Sequence, residues 1–145
     1  GDVYKRQVWE HLTLANGRIA AETCFQFLKP GGYLRVAVPD GYHPSPDYIA
    51  RVRPGGIGMG ASDHQVLYNH RSFGHLFRTT GFDVRLIEYF DERGEFHTAD
   101  WDVDKGLIRR SLLFDSRNQR QRYGYTSLFL DAIKPSAADA SLRAA

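Results

Sequence analysis

Among 145 residues the chain holds one cysteine, Cys24, and one methionine. No disulfide can form within it, which excludes the cystine-stapled secreted scaffolds and points to a reducing, cytoplasmic setting. No apolar run approaches the about 20 residues that a membrane span requires, so no membrane partner is expected. The first ten residues lack the apolar core of a signal peptide. Internal repeats are absent. Lys and Arg number 19 against 17 Asp and Glu, and this net charge of +2 gives no argument for a nucleic-acid partner. His43, His64, His70, His75 and His97 lack the tight spacing of a zinc site, so no metal centre is expected.

What is present suits one soluble α/β domain: 42% hydrophobic and 25% charged residues are ordinary for a globular chain of this length. Leu14, Gly17, Ala20, Ala21, Cys24, Phe27 and Leu28 form a helical stripe, with Thr13 as N-cap. Cys24 on that stripe reads as a small buried hydrophobe. Pro30 cannot continue the helix, and Gly31-Gly32 suit a tight reversal. Tyr33 to Val38 alternates as a strand buried on one face and partly on the other, with Leu34, Val36 and Ala37 expected inside. Pro39 to Asp63 holds four of the six prolines and reads as a long loop. Ser72 to Thr80 reads as a helix with Phe73, Leu76 and Phe77 inward and Gly81 as its stop. Phe82 to Phe90 reads as a strand, Glu92 to Glu95 as a turn, and Leu107 to Phe114 as a further extended piece. Thr126 to Ile133 is a last strand dense enough in apolar residues for the sheet interior. With no crossover helix before it, it is expected to run antiparallel.

Taken together, "VWEHLTLANG", "CFQFLKPGGYLRVAVPD" and "SFGHLFRTTGFDVRLIEY" resemble the second half of a class I, S-adenosylmethionine-dependent methyltransferase. "DHQVLYN", "YFDERGEFH", "RRSLLFD" and "YTSLFLDAIKP" are similar to an uncharacterised bacterial methyltransferase-like family. The resemblance spans roughly residues 8 to 135. It implies a partial Rossmann-like α/β sheet: strands four to seven with flanking helices, the last two antiparallel. It also implies S-adenosylmethionine as cofactor of the complete protein and an unidentified methyl acceptor. The glycine-rich turn and the ribose-binding acid of such enzymes lie in their first half and find no match here. "DVYKRQ" resembles translated adapter sequence, so residues 1–7 are read as a non-native leader. Residues 136–145 read as a frayed tail. An exposed sheet edge beside the leader would favour self-association.

The resemblance places Glu10 and His11 just past the carboxyl end of the fourth strand, where open α/β sheets hold ligands. His11 is the candidate catalytic base, and Glu10 a candidate cofactor-binding residue that could instead only decorate the start of a helix. Asp40, expected at the exposed carboxyl edge of the sheet, and Asp63, His64 and Tyr68 are candidate substrate-binding residues. Asp40 as a turn residue and Asp63 as an N-cap are the plainer readings. Asp100, Asp102 and Asp104 read as a polar turn around Trp101. Arg109, Arg110, Arg117, Arg120 and Arg122, with Tyr123 and Tyr125, fit either a surface that holds phosphates or stacks bases, or a solvated loop. A non-catalytic binding module is the alternative to an enzyme.

Overall fold

The computed structural model of the chain describes residues 3–6 and 8–138, and residues 3–6 by their backbone alone. The division into leader, domain and tail therefore falls partly outside the described residues. Strand β1 (Val3–Arg6) leads through a short 3-10 turn to helix α1 (Leu14–Phe27) and strand β2 (Tyr33–Val38). Helices α2 (Pro46–Val52) and α3 (His70–Thr80), strands β3 (Asp83–Phe90) and β4 (Phe96–Thr98), and strand β5 (Leu128–Ile133) complete the order. The sheet runs β1-β2-β5-β3-β4. β1 and β2 are parallel, and every other pair is antiparallel.

Local chemistry sets most of these boundaries. The Thr13 side chain accepts from the Asn16 amide at the start of α1. At its end Gly31 takes a φ of 84°, and the Gly32 amide bonds back to the Lys29 carbonyl. Asn69 caps α3 in a reciprocal box with Ser72, and Gly81 closes it at a φ of 118°. The helix thus begins two residues ahead of the expected Ser72, and Asn69 rather than Asp63 is its cap.

β5 lies at the centre of the sheet, as its apolar density requires. One sheet face carries Leu34, Val36, Val38, Leu128, Leu130 and Ala132 into a core with Phe73 and Phe77 of α3 and Ala21 of α1. Burying side chains of the size of Phe73 and Phe77 contributes about 1.5–3 kcal/mol each. Cys24 is half-buried against the same core. Leu14 and Phe27, assigned to the buried stripe from their spacing, are exposed instead. α1 packs inward on a narrow line through Gly17, Ala21 and its C-cap Leu28.

The opposite face carries a smaller core of Ala37, Ile87, Phe129 and Ile108, with Trp101 packed against it. Ile87 reaches this side by ordinary alternation from Arg85, and a register shift between Leu86 and Glu88 sets Glu88 opposite Phe129. No helix covers this face. The cover is residues 99–127, which contain short 3-10 turns and no strand. The extended piece expected over Leu107 to Phe114 is therefore corrected. Ile108 plugs the core, the Ser111 hydroxyl bonds back to the Ile108 carbonyl, and the Leu112 amide is held by the Glu88 carboxylate. The Pro39 to Asp63 loop is also more ordered than its composition suggests. Pro46 opens α2 at a position that needs no amide, behind an N-cap from Ser45.

Candidate functional site

β1 and β2 run parallel, so their carboxyl ends meet at one edge of the sheet. The 3-10 turn Trp9–His11 follows the first end, and Pro39-Asp40 the second. The Glu10 carbonyl accepts from the Gln65 amide at 2.6 Å and, more weakly, from the Val66 amide at 3.4 Å. Those bonds draw the stretch from His64 to Tyr68 against the turn. Trp9 braces it from within: its indole N–H donates to the Gly17 carbonyl at 3.0 Å. A Cβ on Gly17 would stand 3.2 Å from the Trp9 ring and 3.3 Å from the Tyr68 hydroxyl, so α1 approaches this closely only through glycine.

Four residues singled out in the sequence converge here. Glu10, His11 and His64 offer donor atoms all within 4.8 Å of one another. His11 Nε2 lies 3.5 Å from a Glu10 carboxylate oxygen, and the two imidazoles meet edge to face at 4.8 Å. His64 Nδ1 is within 2.5 Å of the Val52 carbonyl, which fixes its ring. A divalent cation would find carboxylate and imidazole donors at this place. Tyr68 adds a buried hydroxyl, and neither it nor Glu10 Oε2 has a hydrogen-bond partner among the described residues. Burial pushes the Glu10 carboxyl up to about 7, against the pull of its backbone bonding and of the Arg110 charge. Burial, and then the Glu10 charge, raise the Tyr68 phenol.

Glu10 is not a surface decoration of a helix start. It is 1% exposed, and that burial is invisible in a "WEHL" string. Asp40 is a correction too. Expected at an exposed edge, it is 1% exposed, with one carboxylate oxygen accepting from the Tyr42 amide at 3.0 Å and the other from Phe90 at 2.8 Å. Its carboxylate is a joint between the ends of β2 and β3. Burial outweighs those two bonds and raises its pKa to about 6. Asp63 is exposed at the end of the 3-10 turn Ala61–Asp63 and does not join the cluster.

Beside this cluster, against Pro39, opens a cleft of about 310 Å³. Arg51, Arg110, Arg117, Tyr48, Tyr125 and His64 line it, so His64 belongs to both cleft and cluster. Tyr48 is held by its hydroxyl, which accepts from the Asp40 amide at 3.0 Å and is 3.4 Å from the Thr126 carbonyl. His43 stacks on Tyr48 at 3.9 Å, accepts from the Ser45 amide on Nδ1 and meets the Tyr123 carbonyl with Nε2 at 2.7 Å. Burial lowers its pKa and keeps it neutral. Arg51, Tyr48 and His43 carry no sequence signal as site residues, because the Pro39 to Asp63 composition reads as loop and does not reveal α2. The interleaving of Arg110, Arg117 and Tyr125 was a signal, but it could not separate a pocket wall from a solvated surface.

No family model and no curated protein matches the chain. Solved structures do. One belongs to the complex between the Haloferax volcanii Trm112 methyltransferase activator and a candidate methyltransferase: TM-score 0.53 at 17% identity, over 92% of this chain and 54% of that one. Another is a SAM-dependent methyltransferase from Archaeoglobus fulgidus, with TM-score 0.53 at 13% identity, over 92% of this chain and 59% of that one. The chain shares the fold of the matching part of these two structures. It spans between 54% and 59% of the length of these two relatives in structure. Among the described residues no helix is long and apolar enough to cross a membrane.

Within this methyltransferase-like fold the residues present do not by themselves fit the cofactor. Gly31-Gly32 turn at the amino end of β2, away from the cluster. Gly56 and Gly58 lie against the backbone carbonyls of Ala50, Arg51 and Arg53 at the end of α2. Neither stretch forms the strand-turn-helix cradle that lets a backbone approach a nucleotide. Among the described residues of the cluster, the orphaned Glu10 oxygen and the Tyr68 hydroxyl are free to receive a ligand's donor.

Proposed function

We propose that the complete protein is an S-adenosylmethionine-dependent methyltransferase and that this chain carries its acceptor side. The observation that supports this reading is the placement of the Glu10–His11–His64 cluster at the joint carboxyl edge of β1 and β2, in a fold shared with solved structures described as methyltransferases. Ligands of open α/β sheets sit at such edges. The cofactor supplies a methyl group already activated by its sulfonium charge. The work left to this chain is to bind the acceptor, orient it and take its proton.

His11 takes that proton. Its side chain is 39% exposed, open to a substrate, and rests against the buried Glu10 carboxyl, which orients it. His64 and Tyr68 form the wall on which the acceptor lies, and Asp63 stands on the rim. Glu10, with one oxygen unpartnered, faces the cofactor side. A second reading, a non-catalytic binding module, draws on the cleft, which needs no cofactor in order to bind.

The test is to recover the coding frame upstream and assay the longer protein for transfer of a labelled methyl group. A glycine-rich turn after a first strand, with label transferred, is the expected result. His11→Ala should then reduce kcat about 10²–10⁴-fold. A longer frame without that turn, or a His11→Ala variant of full activity, removes the reading or its proposed base respectively.

A further inference from the structure

The arginine-lined cleft is left unexplained by proton removal at His11. Its wall holds three guanidiniums and one imidazole, and no carboxylate. Arg117 is already engaged: it grips Asp115 through Nε at 2.9 Å and Nη2 at 2.6 Å and lies over the Tyr125 ring at 3.9 Å. Arg51 approaches the same ring at 5.7 Å. Arg51 and Arg110 are both half-buried, and neither guanidinium has a hydrogen-bond or ion-pair partner among the described residues. The two cations line one small space and each has given up part of its hydration, while the Glu10 and Asp115 carboxylates offset part of the Arg110 charge. Such an arrangement is unfavourable for an empty fold and favourable for an anion, which can take paired N–H donors from planar forks.

We propose that this cleft binds an anionic group, a carboxylate or a phosphate, of a small molecule, and that this molecule is the methyl acceptor. The second half rests on the methyltransferase reading, and the first does not. A space of about 310 Å³ stands at the lower end of small-ligand pockets, which run about 300–1,000 Å³. The other arginines of the cluster are not part of the wall. Arg109 and Arg120 are exposed, and Arg122 lies over Tyr123 beside a separate cavity. The selection of Arg110 and Arg117, joined by Arg51 from a helix about sixty residues earlier, is a tertiary choice rather than a run of surface charge. His64 links the parts. It lines the cleft and meets the His11 ring at 4.8 Å, so an anion held by Arg51 and Arg110 directs the rest of its molecule toward His11.

The experiment titrates inorganic pyrophosphate and citrate into the full chain at constant ionic strength, followed by calorimetry. One saturable site for at least one probe is expected. Arg110→Gln and Arg51→Gln should each weaken it about tenfold or more, the scale of a lost charge-assisted hydrogen bond. Arg18→Gln, on α1 and paired there with Glu22 at 3.4 Å, should leave it unchanged. If Arg110→Gln fails to fold, Arg51→Gln carries the comparison. No saturable binding of either probe, or an equal loss in Arg18→Gln, overturns the anion site. Saturable binding together with a longer protein that transfers no methyl group keeps the anion site and overturns its assignment to an acceptor.

Discussion

Arg35 and Asp131 stand opposite each other on β2 and β5 and are joined inside the protein by two parallel hydrogen bonds, Nε to Oδ1 at 2.7 Å and Nη2 to Oδ2 at 2.8 Å. Arg35 is 1% exposed. Its remaining nitrogen, Nη1, donates to the Asp102 and Gly106 carbonyls, and Trp101 covers the guanidinium at 5.3 Å. One buried cation thus ties two strands to the loop of alternating aspartates, which is the polar turn that its sequence suggests.

Breaking that pair leaves a buried charge without its counterion. Asp131→Ala should cost about 3–5 kcal/mol of stability, measured as a shift of the urea midpoint. The double change Arg35→Met with Asp131→Leu should recover most of the loss, because it removes the charge as well as its partner. A single-variant loss below about 1 kcal/mol would show that the pair is solvated rather than buried.

Glu88 is buried, and burial raises its carboxyl from 4.5 to about 7, against the opposing bond from the Leu112 amide. A raised folded-state pKa means that the native state holds the proton longer than the unfolded chain does. The stability it contributes is complete below about pH 4.5 and is lost as pH rises through about 7. Glu10 and Asp40 act in the same direction, with pKa values near 7 and 6. His43, held neutral, acts oppositely below its ordinary 6.5. The comparison of Glu88→Gln with the parent cancels those other groups. The variant should gain relative stability between pH 4.5 and 8, with a ceiling of roughly 3 kcal/mol. A gap that does not change with pH in thermal melts would refute this.

Helix α3 is fixed at both ends by single residues. Asn69→Ala removes the cap and should cost about 0.5–2 kcal/mol. Gly81→Ala meets two obstacles, a φ of 118° and a Cβ placed 3.0 Å from the Phe25 ring. Its loss should exceed about 1 kcal/mol, since neither backbone nor ring can yield freely. Chemical denaturation of both variants checks the order.

S-adenosylmethionine should bind this chain weakly or not at all. Neither glycine stretch cradles a nucleotide, and the acid that would pair with a ribose has no match in it. Calorimetry that finds saturable micromolar binding would show that the Glu10 edge suffices by itself.

Self-association is expected to grow with concentration. β1 is an edge strand, and α1 exposes Ile19 at 59% and Phe27 at 83%. Sedimentation across a concentration series should show association that Phe27→Glu weakens. A monomer at every concentration would mean that neither the edge nor the helix face recruits a second chain.

How far the sequence determined this protein follows from the range of the forces involved. Thr13, Pro30 with Gly31, and Gly81 act on amides and carbonyls a few residues away, so the ends they set were legible in the string. The alternation of β2 and the apolar density of β5 report burial directly, and Leu34, Val36 and Ala37 are inside as that pattern requires. The convergence of Glu10 and His11 with His64 and Tyr68 was legible only as a set of separate candidates. Their meeting depends on the Glu10 carbonyl bonding the Gln65 amide, fifty-five residues on. Whether a polar side chain is a surface group or a buried joint is likewise settled by distant partners. Asp40 is buried because Phe90 supplies an amide, and Arg35 because Asp131 supplies a carboxylate. The cleft needs Arg51 from α2 to face Arg110 and Arg117 from the irregular cover. Local propensity and periodicity reach one or two turns along the chain, whereas desolvation and charge pairing depend on what the fold brings to the other side.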